Sequence, residues 1–352
     1  MADIFDPKIR LQNRVIKTTV AFDEAGIEKK TFESRGGRIQ DNILRLNGRI
    51  DQEILAVYMR QDFSISLQPN SAGAGLGTAE ISLYNLNDET SRQIEAKGLF
   101  VTLEAGWEGK TGELFSGKIS SVTRTKKEAG STDVITTLYC VMGLDVVQNK
   151  MFQENFNEST NIRFVLERIA KSAGLSAQID KEVQGNVEGT LDGNIITILS
   201  KLSTLSSLKR GFNFYFTPNF LVVKAVLDFN QVKVVRNYSP TNGLLDIPVV
   251  TEKGVDLRVF LDPQIRSGDG FELSSKFANF NIGNLNFINR VRGQVLNTFS
   301  ATLNNNRYQG VYQALSIWHD GSSHENTWET NISAMGAVQF QSINENLRLD
   351  NL

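Results

Sequence analysis

Few residues in this chain have the type and spacing to do chemistry. The two histidines, His319 and His324, lie in Trp318-His319-Asp320-Gly321-Ser322-Ser323-His324-Glu325. Two imidazoles and two carboxylates, Asp320 and Glu325, within eight residues are the raw material of a metal site. The spacing straddles an Asp-Gly-Ser turn, however, which leaves both side chains at a solvated hairpin tip, and no other cluster supplies further ligands. Gly73, Gly75 and Gly77 form a GxGxG run. A dinucleotide fingerprint needs G-x-G-x-x-G after a strand and at the start of a helix. Here the spacing differs and a strand follows from Ala79, so a loop is expected.

Nucleophilic catalysis needs a Ser or Cys beside a base. G-x-S-x-G does not occur, and the single cysteine, Cys140, sits inside a β-like run where a small buried hydrophobe is expected. Phe212, Tyr215, Phe216 and Phe220 near Lys209 and Arg210 have the composition of a base-stacking platform, but they fit better as the core of a hairpin. Trp107, Trp318 and Trp328 are the only tryptophans for a sugar-binding groove. No catalytic, cofactor-binding or metal-binding residue is assigned, and no cofactor is expected.

The elements that would position these residues divide the 352-residue chain into several domains, because single cores rarely grow past about 250–300 residues. Hydrophobic residues are 40% and charged residues 22% of the total, which is ordinary globular usage. The net charge of −2, from 37 basic and 39 acidic residues, lacks the basic excess of a dedicated nucleic-acid binder. No apolar run reaches the ~18 residues that span a bilayer, and residues 1–10 have no apolar signal segment. Folding in a cytoplasm without membrane insertion is expected.

Residues 1–45 are charged, with short apolar patches, and read as an arm or extension. From Asp51 to Gly143 the period is two: 63–67, 79–84, 101–105, 115–122 and 134–141 alternate as half-buried strands do, with one short helix around 89–96. From Glu158 to Asp228 the period lengthens. Thr160 is placed to cap a helix running to Ala173, and a second helix is expected from Asn194 to Leu208. A hairpin follows over 212–216 and 220–226. From Pro248 the β pattern returns at 257–261, 271–273, 311–318 and 327–334, and the Asn/Phe-rich stretch 276–306 reads as a long excursion. Residues 117–143 and 311–336 echo each other: strand, charged turn, alternating strand, then Met-Gly. The expected domains are an arm (1–45), a first β-barrel (46–150), a small α+β domain (151–245) and a second barrel (246–352), with each barrel either contiguous or discontinuous in sequence.

Three segments carry a resemblance. Residues 78–90 (TAEISLYNLNDET), with 98–107 and Leu114-Phe115-Ser116-Gly117-Lys118-Ile119, resemble the first barrel of the baseplate hub proteins of contractile-tailed bacteriophages. Residues 312–332 resemble the late hairpin of those hubs and of the related late-control tail proteins and secretion-system spikes. Residues 189–223 resemble their small α+β domain. The resemblance spans most of 60–335, and 1–45 and 276–306 match nothing in it. It implies a mainly β fold with a small α+β domain and two tail-tube-like barrel or sandwich domains. It also implies a structural virion protein and not an enzyme: a homotrimer whose six barrels adapt the hexameric tail tube to a threefold central spike. The implied partners are the tail tube protein, the central spike protein, the tape-measure protein and inner baseplate proteins, with DNA only in transit through a lumen. The alternatives are a tail-associated cell-wall hydrolase, for which no catalytic segment is evident, and a tail-tip or spike component, which would want a repetitive β-helix that is not seen before Leu352.

Overall fold

A computed structural model describes residues 14–23, 25–35, 60–68, 76–126, 130, 132–143, 150–209, 211–226, 233–251, 254–275, 279–280, 288–289, 294–295 and 310–336. Strands dominate, as the alternating pattern requires. The chain divides into two compact units: 1–226 with 261–264 and 318–329, and 227–260 with 265–317 and 330–352.

The first unit begins with β1 (Arg14–Ala21) and β2 (Lys29–Arg35), followed by β3 (Gln61–Leu67), β4 (Gly77–Tyr84), α1 (Asp88–Lys97), β5 (Phe100–Trp107), β6 (Lys110–Lys126) and β7 (Val134–Val141). The sheet order is β3-β4-β7-β6-β5-β1-β2, with antiparallel ladders throughout. Every one of these strands sends side chains into one cluster, among them Ile16, Phe32, Ile65, Ile81, Leu103, Phe115 and Leu138, and Ile94 of α1 joins them. Asn87 caps α1 by accepting the Thr90 N–H at 2.7 Å, which satisfies one of the first-turn donors.

This corrects the reading of 1–45 as an arm. Residues 14–35 form a core hairpin in which β1 lies between β2 and β5. Its alternation was legible (Ile16, Thr18 and Val20 are fully buried), but threonine and arginine at inward positions disguised it. Residues 1–13 and 36–45 lie outside the described residues.

The rest of this unit holds β8 (Met151–Asn161), α2 (Ile162–Ser172), β9 (Ser176–Ile179), β10 (Asn186–Asn194), α3 (Ile195–Ser203), β11 (Phe212–Phe216) and β12 (Phe220–Ala225). It is a strand–helix–strand unit present twice. β8-α2-β9 and β10-α3-β11 each pass from strand to helix through one asparagine. Asn161 accepts the Arg163 N–H and Asn194 the Ile196 N–H, both at 2.9 Å. Thr160 is therefore a strand residue and not the cap. The duplicates are antiparallel: β8 pairs with β10 so that Met151 faces Asn194 and Asn161 faces Asn186. β12 lies between β9, its parallel neighbour, and β11, its antiparallel one. α3 stops at Ser203, short of the expected Leu208, and the residues beyond it turn back so that Lys209 N–H reaches the Gln184 carbonyl at 3.0 Å.

The second unit contains β13 (Val234–Tyr238), β14 (Val249–Val250), β15 (Gly254–Phe260), β16 (Gly270–Leu273), β17 (Asn279–Phe280), β18 (Ile288–Asn289) and β19 (Gln294–Val295), with most of β20 (Gly310–Ser322) and β21 (Trp328–Gly336). β16 pairs with both β13 and β20. Its Phe271 packs between Tyr238 at 5.5 Å and Tyr312 at 5.8 Å. Apart from the short strands β17, β18 and β19, the excursion 276–306 lies outside the described residues. The turn-proximal ends of β20 and β21, within 318–329, belong to the first unit, where they carry both histidines.

Candidate functional site

The histidine segment does not form the solvated tip that its Asp-Gly-Ser sequence suggested. β20 continues to Ser322, and the turn falls one step later. It closes where Ser322 N–H donates to the Thr327 carbonyl at 2.9 Å. The Ser322 hydroxyl accepts the N–H groups of His324 and Glu325 at 3.2 and 2.9 Å. Gly321 is a strand residue set by close approach: a Cβ there would sit 2.3 Å from the Phe63 ring. Hence His319 is fully buried while His324 lies at the turn.

Around this turn the sheet closes on itself. Trp328 is buried with its ring centroid 6.0 Å from Phe63 on β3 and 6.0 Å from Trp107 on β5. In the sheet order those strands are four spacings apart, about 19 Å if the sheet were flat, so the sheet must curl around Trp328. Among the described residues no backbone ladder joins β3 to β1 or β2. Side chains close the gap. Gln61 Oε1 accepts the Thr18 hydroxyl of β1 at 2.6 Å, and its Nε2 donates to the Ser34 hydroxyl of β2 at 2.8 Å. All three residues are fully buried. The Gln61 backbone exchanges hydrogen bonds with Ser323: its N–H donates to the Ser323 hydroxyl, and its carbonyl accepts the Ser323 N–H, both at 2.9 Å.

Two arginines hold the turn. Arg14 donates to the carbonyls of Ser322 at 3.2 Å, Glu325 at 2.6 Å and Asn326 at 3.3 Å, with its guanidinium 5.0 Å from the Trp328 ring centroid. Burial pushes its pKa down to about 10, which still leaves it charged near neutrality. Arg60 donates to Asp62 at 2.6 Å and to Glu325, and lies over the Tyr84 ring. Burial alone would lower the Arg60 pKa, but the hydrogen bonds to Asp62 and Glu325 outweigh it and the guanidinium stays firmly protonated. Tyr84 donates to Asp62 at 2.9 Å, and burial with that bond lifts its phenol to about 12.

This arrangement holds a turn. Ser323 and His324 approach to 2.8 Å, but the serine oxygen already accepts the Gln61 N–H and is buried. Burial first, and then Arg60, lowers the His324 pKa. No group of three or more His, Cys, Asp or Glu residues suited to a metal ion occurs among the described residues, and His319 and His324 are not brought together with Asp320 as ligands.

The other candidates separate as follows. Gly73 and Gly75 lie outside the described residues, and Gly77 opens β4, where a Cβ would meet Met142 at 2.8 Å. Cys140 is buried, and burial lifts its thiol to about 12. Phe212 and Phe216 are core residues of β11, Tyr215 and Phe220 are half-buried, and Arg210 lies outside the described residues. Trp328, a candidate for a sugar groove, is core. Sequence reasoning missed Arg14, Thr18, Ser34 and Gln61. Their only signal was polar residues at inward positions of otherwise alternating strands.

Residues 78–288 match the family model described as Baseplate hub gp41, more than half of the chain. The chain belongs to this baseplate hub family. Membership makes it a phage tail baseplate component, a constituent of the virion. The fold agrees. The tail protein from Neisseria meningitidis MC58 superposes with a TM-score of 0.51, at 8% identity, over 92% of this chain and 97% of that one. The 43 kDa tail protein of prophage MuSo2 from Shewanella oneidensis gives 0.47 at 11% identity, covering 93% and 98% of the two chains. The E. coli c3393 protein, a type VI secretion component, gives 0.47 at 8% identity, covering 79% and 73%. Among curated protein sequences nothing matches this chain. Among the described residues no helix is long and apolar enough to cross a membrane.

Proposed function

We propose that this hub is a homotrimeric symmetry adaptor. Each chain contributes two tail-tube-like β-barrels, so three chains present six similar barrels to the hexameric tail tube and a threefold face to the central spike. The tape-measure protein and inner baseplate proteins are the further partners, and DNA crosses a lumen in transit without being held. The protein acts by burying interface and has no enzymatic role. The echo between 117–143 and 311–336 is read as the trace of a barrel duplication.

The observation that carries this reading is the family match over 78–288. It is supported by a curled, mainly β first unit in which the polar residues at the turn are engaged in holding the fold. A hub has need of rigid shells, since closed or paired edges suppress unwanted strand addition. The near-neutral charge suits a wall that DNA passes without binding.

The test is the copy number of this chain in purified tails, by quantitative mass spectrometry against the tube protein, with imaging of the baseplate. Three copies on a threefold axis are expected. Six copies, or one, would overturn the adaptor. Clearing of a cell-wall suspension by the purified chain would overturn the non-enzymatic reading.

A further inference from the structure

Among the described residues several strand edges of the first unit have no ladder partner, and two of them carry opposite charge. The first belongs to β6. Its pairing with β5 ends at Lys118, and one further backbone bond joins Ile119 N–H to the Leu99 carbonyl. From Ser120 to Lys126 its only ladder among the described residues is with β7. Thr123, Arg124, Thr125 and Lys126 are all exposed. The stretch SSVTRTK contains no carboxylate. Arg124 pairs with Asp88 of α1 at the surface, and Lys126 makes no ion pair among the described residues.

The second open edge is that of β10, whose only strand neighbour among the described residues is β8. The β8–β10 ribbon contains no Lys, Arg or Pro, the residues by which exposed edges are usually protected. One face is packed: Phe152 and Phe156 are buried and stack at 6.3 Å. The opposite face shows Gln153 and Asn155 beside Asp192 and Thr190, all exposed. Glu154 is engaged by Arg168 at 2.7 Å. Glu188 and Asp192 have no such partner among the described residues. Glu188 sits in the register shift between Val187 and Gly189, which confines regular strand geometry on this edge to Thr190–Asn194.

We propose that the open edge of β6 over Val122–Lys126 docks along the open edge of β10 over Thr190–Asn194 in a second copy of this chain. Backbone groups on the two edges then satisfy each other; in the antiparallel register that sets Val122 opposite Asn194, Arg124 stands opposite Asp192, and Lys126 stands opposite Thr190, between Asp192 and Glu188 along the strand. Such a contact is heterologous, since the surface used on one copy differs from that used on the next, and it closes into a ring when the rotation allows. The inference rests on the trimer reading and gives it a specific surface.

The experiment is light scattering of the full chain over a range of concentrations, beside three variants: Arg124→Glu with Lys126→Glu; Glu188→Lys with Asp192→Lys; and all four together. Thermal melts confirm folding, and the second variant guards against loss of the Arg124 contact with α1. Each double reversal is expected to weaken self-association by roughly tenfold or more, and the fourfold variant to recover it. The inference is overturned if the unaltered chain stays monomeric at every concentration, if it associates but ignores both reversals, or if the fourfold variant fails to recover. The copy number in tails is decided separately, so a threefold baseplate with indifferent reversals would sink this surface and leave the adaptor standing.

Discussion

Replacing Gln61 by methionine isolates the side-chain closure of the first unit. Methionine keeps the length and the packing of glutamine while removing both polar atoms. The Thr18 and Ser34 hydroxyls, which Gln61 holds at 2.6 and 2.8 Å, are fully buried and would lose that partner. An unsatisfied buried donor or acceptor costs about 1–3 kcal/mol, so Gln61→Met should cost roughly 2–6 kcal/mol in total. For a unit of this size that is a fall in Tm of roughly 5–15 °C. The informative comparison is the triple variant Thr18→Val, Ser34→Ala, Gln61→Met. Removing these three together leaves none of their mutual hydrogen bonds half-made, so it should be markedly more stable than the single variant. Tryptophan fluorescence during urea unfolding reads this unit alone, because Trp107, Trp318 and Trp328 all belong to it. A triple variant as unstable as Gln61→Met, or a single variant costing less than about 0.5 kcal/mol, would refute the reasoning.

Arg14→Lys keeps the charge but cannot fork between the three carbonyls of Ser322, Glu325 and Asn326; a loss of about 2–4 kcal/mol is expected in the same unfolding assay, and a neutral outcome would show that the charge alone suffices. Gly321→Ala places a methyl 2.3 Å from the Phe63 ring and should cost about 1–3 kcal/mol, partly recovered when Phe63→Leu is added; no recovery would mean that the strain lies in the backbone instead. His324 has its pKa lowered in the fold below 6.5, by burial and then by Arg60. The unfolded chain therefore binds the proton more readily, and stability should fall as pH drops through 6.5 and below. His324→Gln should flatten that slope in unfolding free energies measured on either side of pH 6.5, and an unchanged slope would assign it to other groups.

What could be seen in the sequence follows from which forces write a period. β4, β5 and β7 alternate because one face meets a core, and the Phe212–Phe216 hairpin was equally plain. β8 and β10 were missed. β8 is built of asparagine, glutamine and glutamate with only two buried phenylalanines, and β10 is interrupted by Gly189 and Gly193, so neither has strand propensity. Their pairing is a tertiary outcome. The Asn161 and Asn194 caps were within reach, since Asn-Ile followed by an apolar pair three and four residues on occurs twice, but Thr160 was the more familiar signal. The closure by Gln61 and Arg14 could not be read, because it joins residues from 27 positions apart (Ser34 and Gln61) to 308 (Arg14 and Ser322) and polar residues have no period of their own. His319 shows the same limit: an Asp-Gly pair usually announces a turn, and here the glycine is required by an aromatic ring from another strand.

A shell closed by side chains also has a grain. Where neighbouring strands share a ladder, a pull along the strands is divided among many backbone bonds that must fail together. Between β3 and the β1–β2 hairpin the load falls on a glutamine and two hydroxyls, with an arginine reaching across to the turn, and these can give way in succession. Tension applied across the first unit would therefore part it along this one line and leave the six backbone ladders from β3 to β2 intact. The same line, once re-formed, restores the shell without any strand having lost its register.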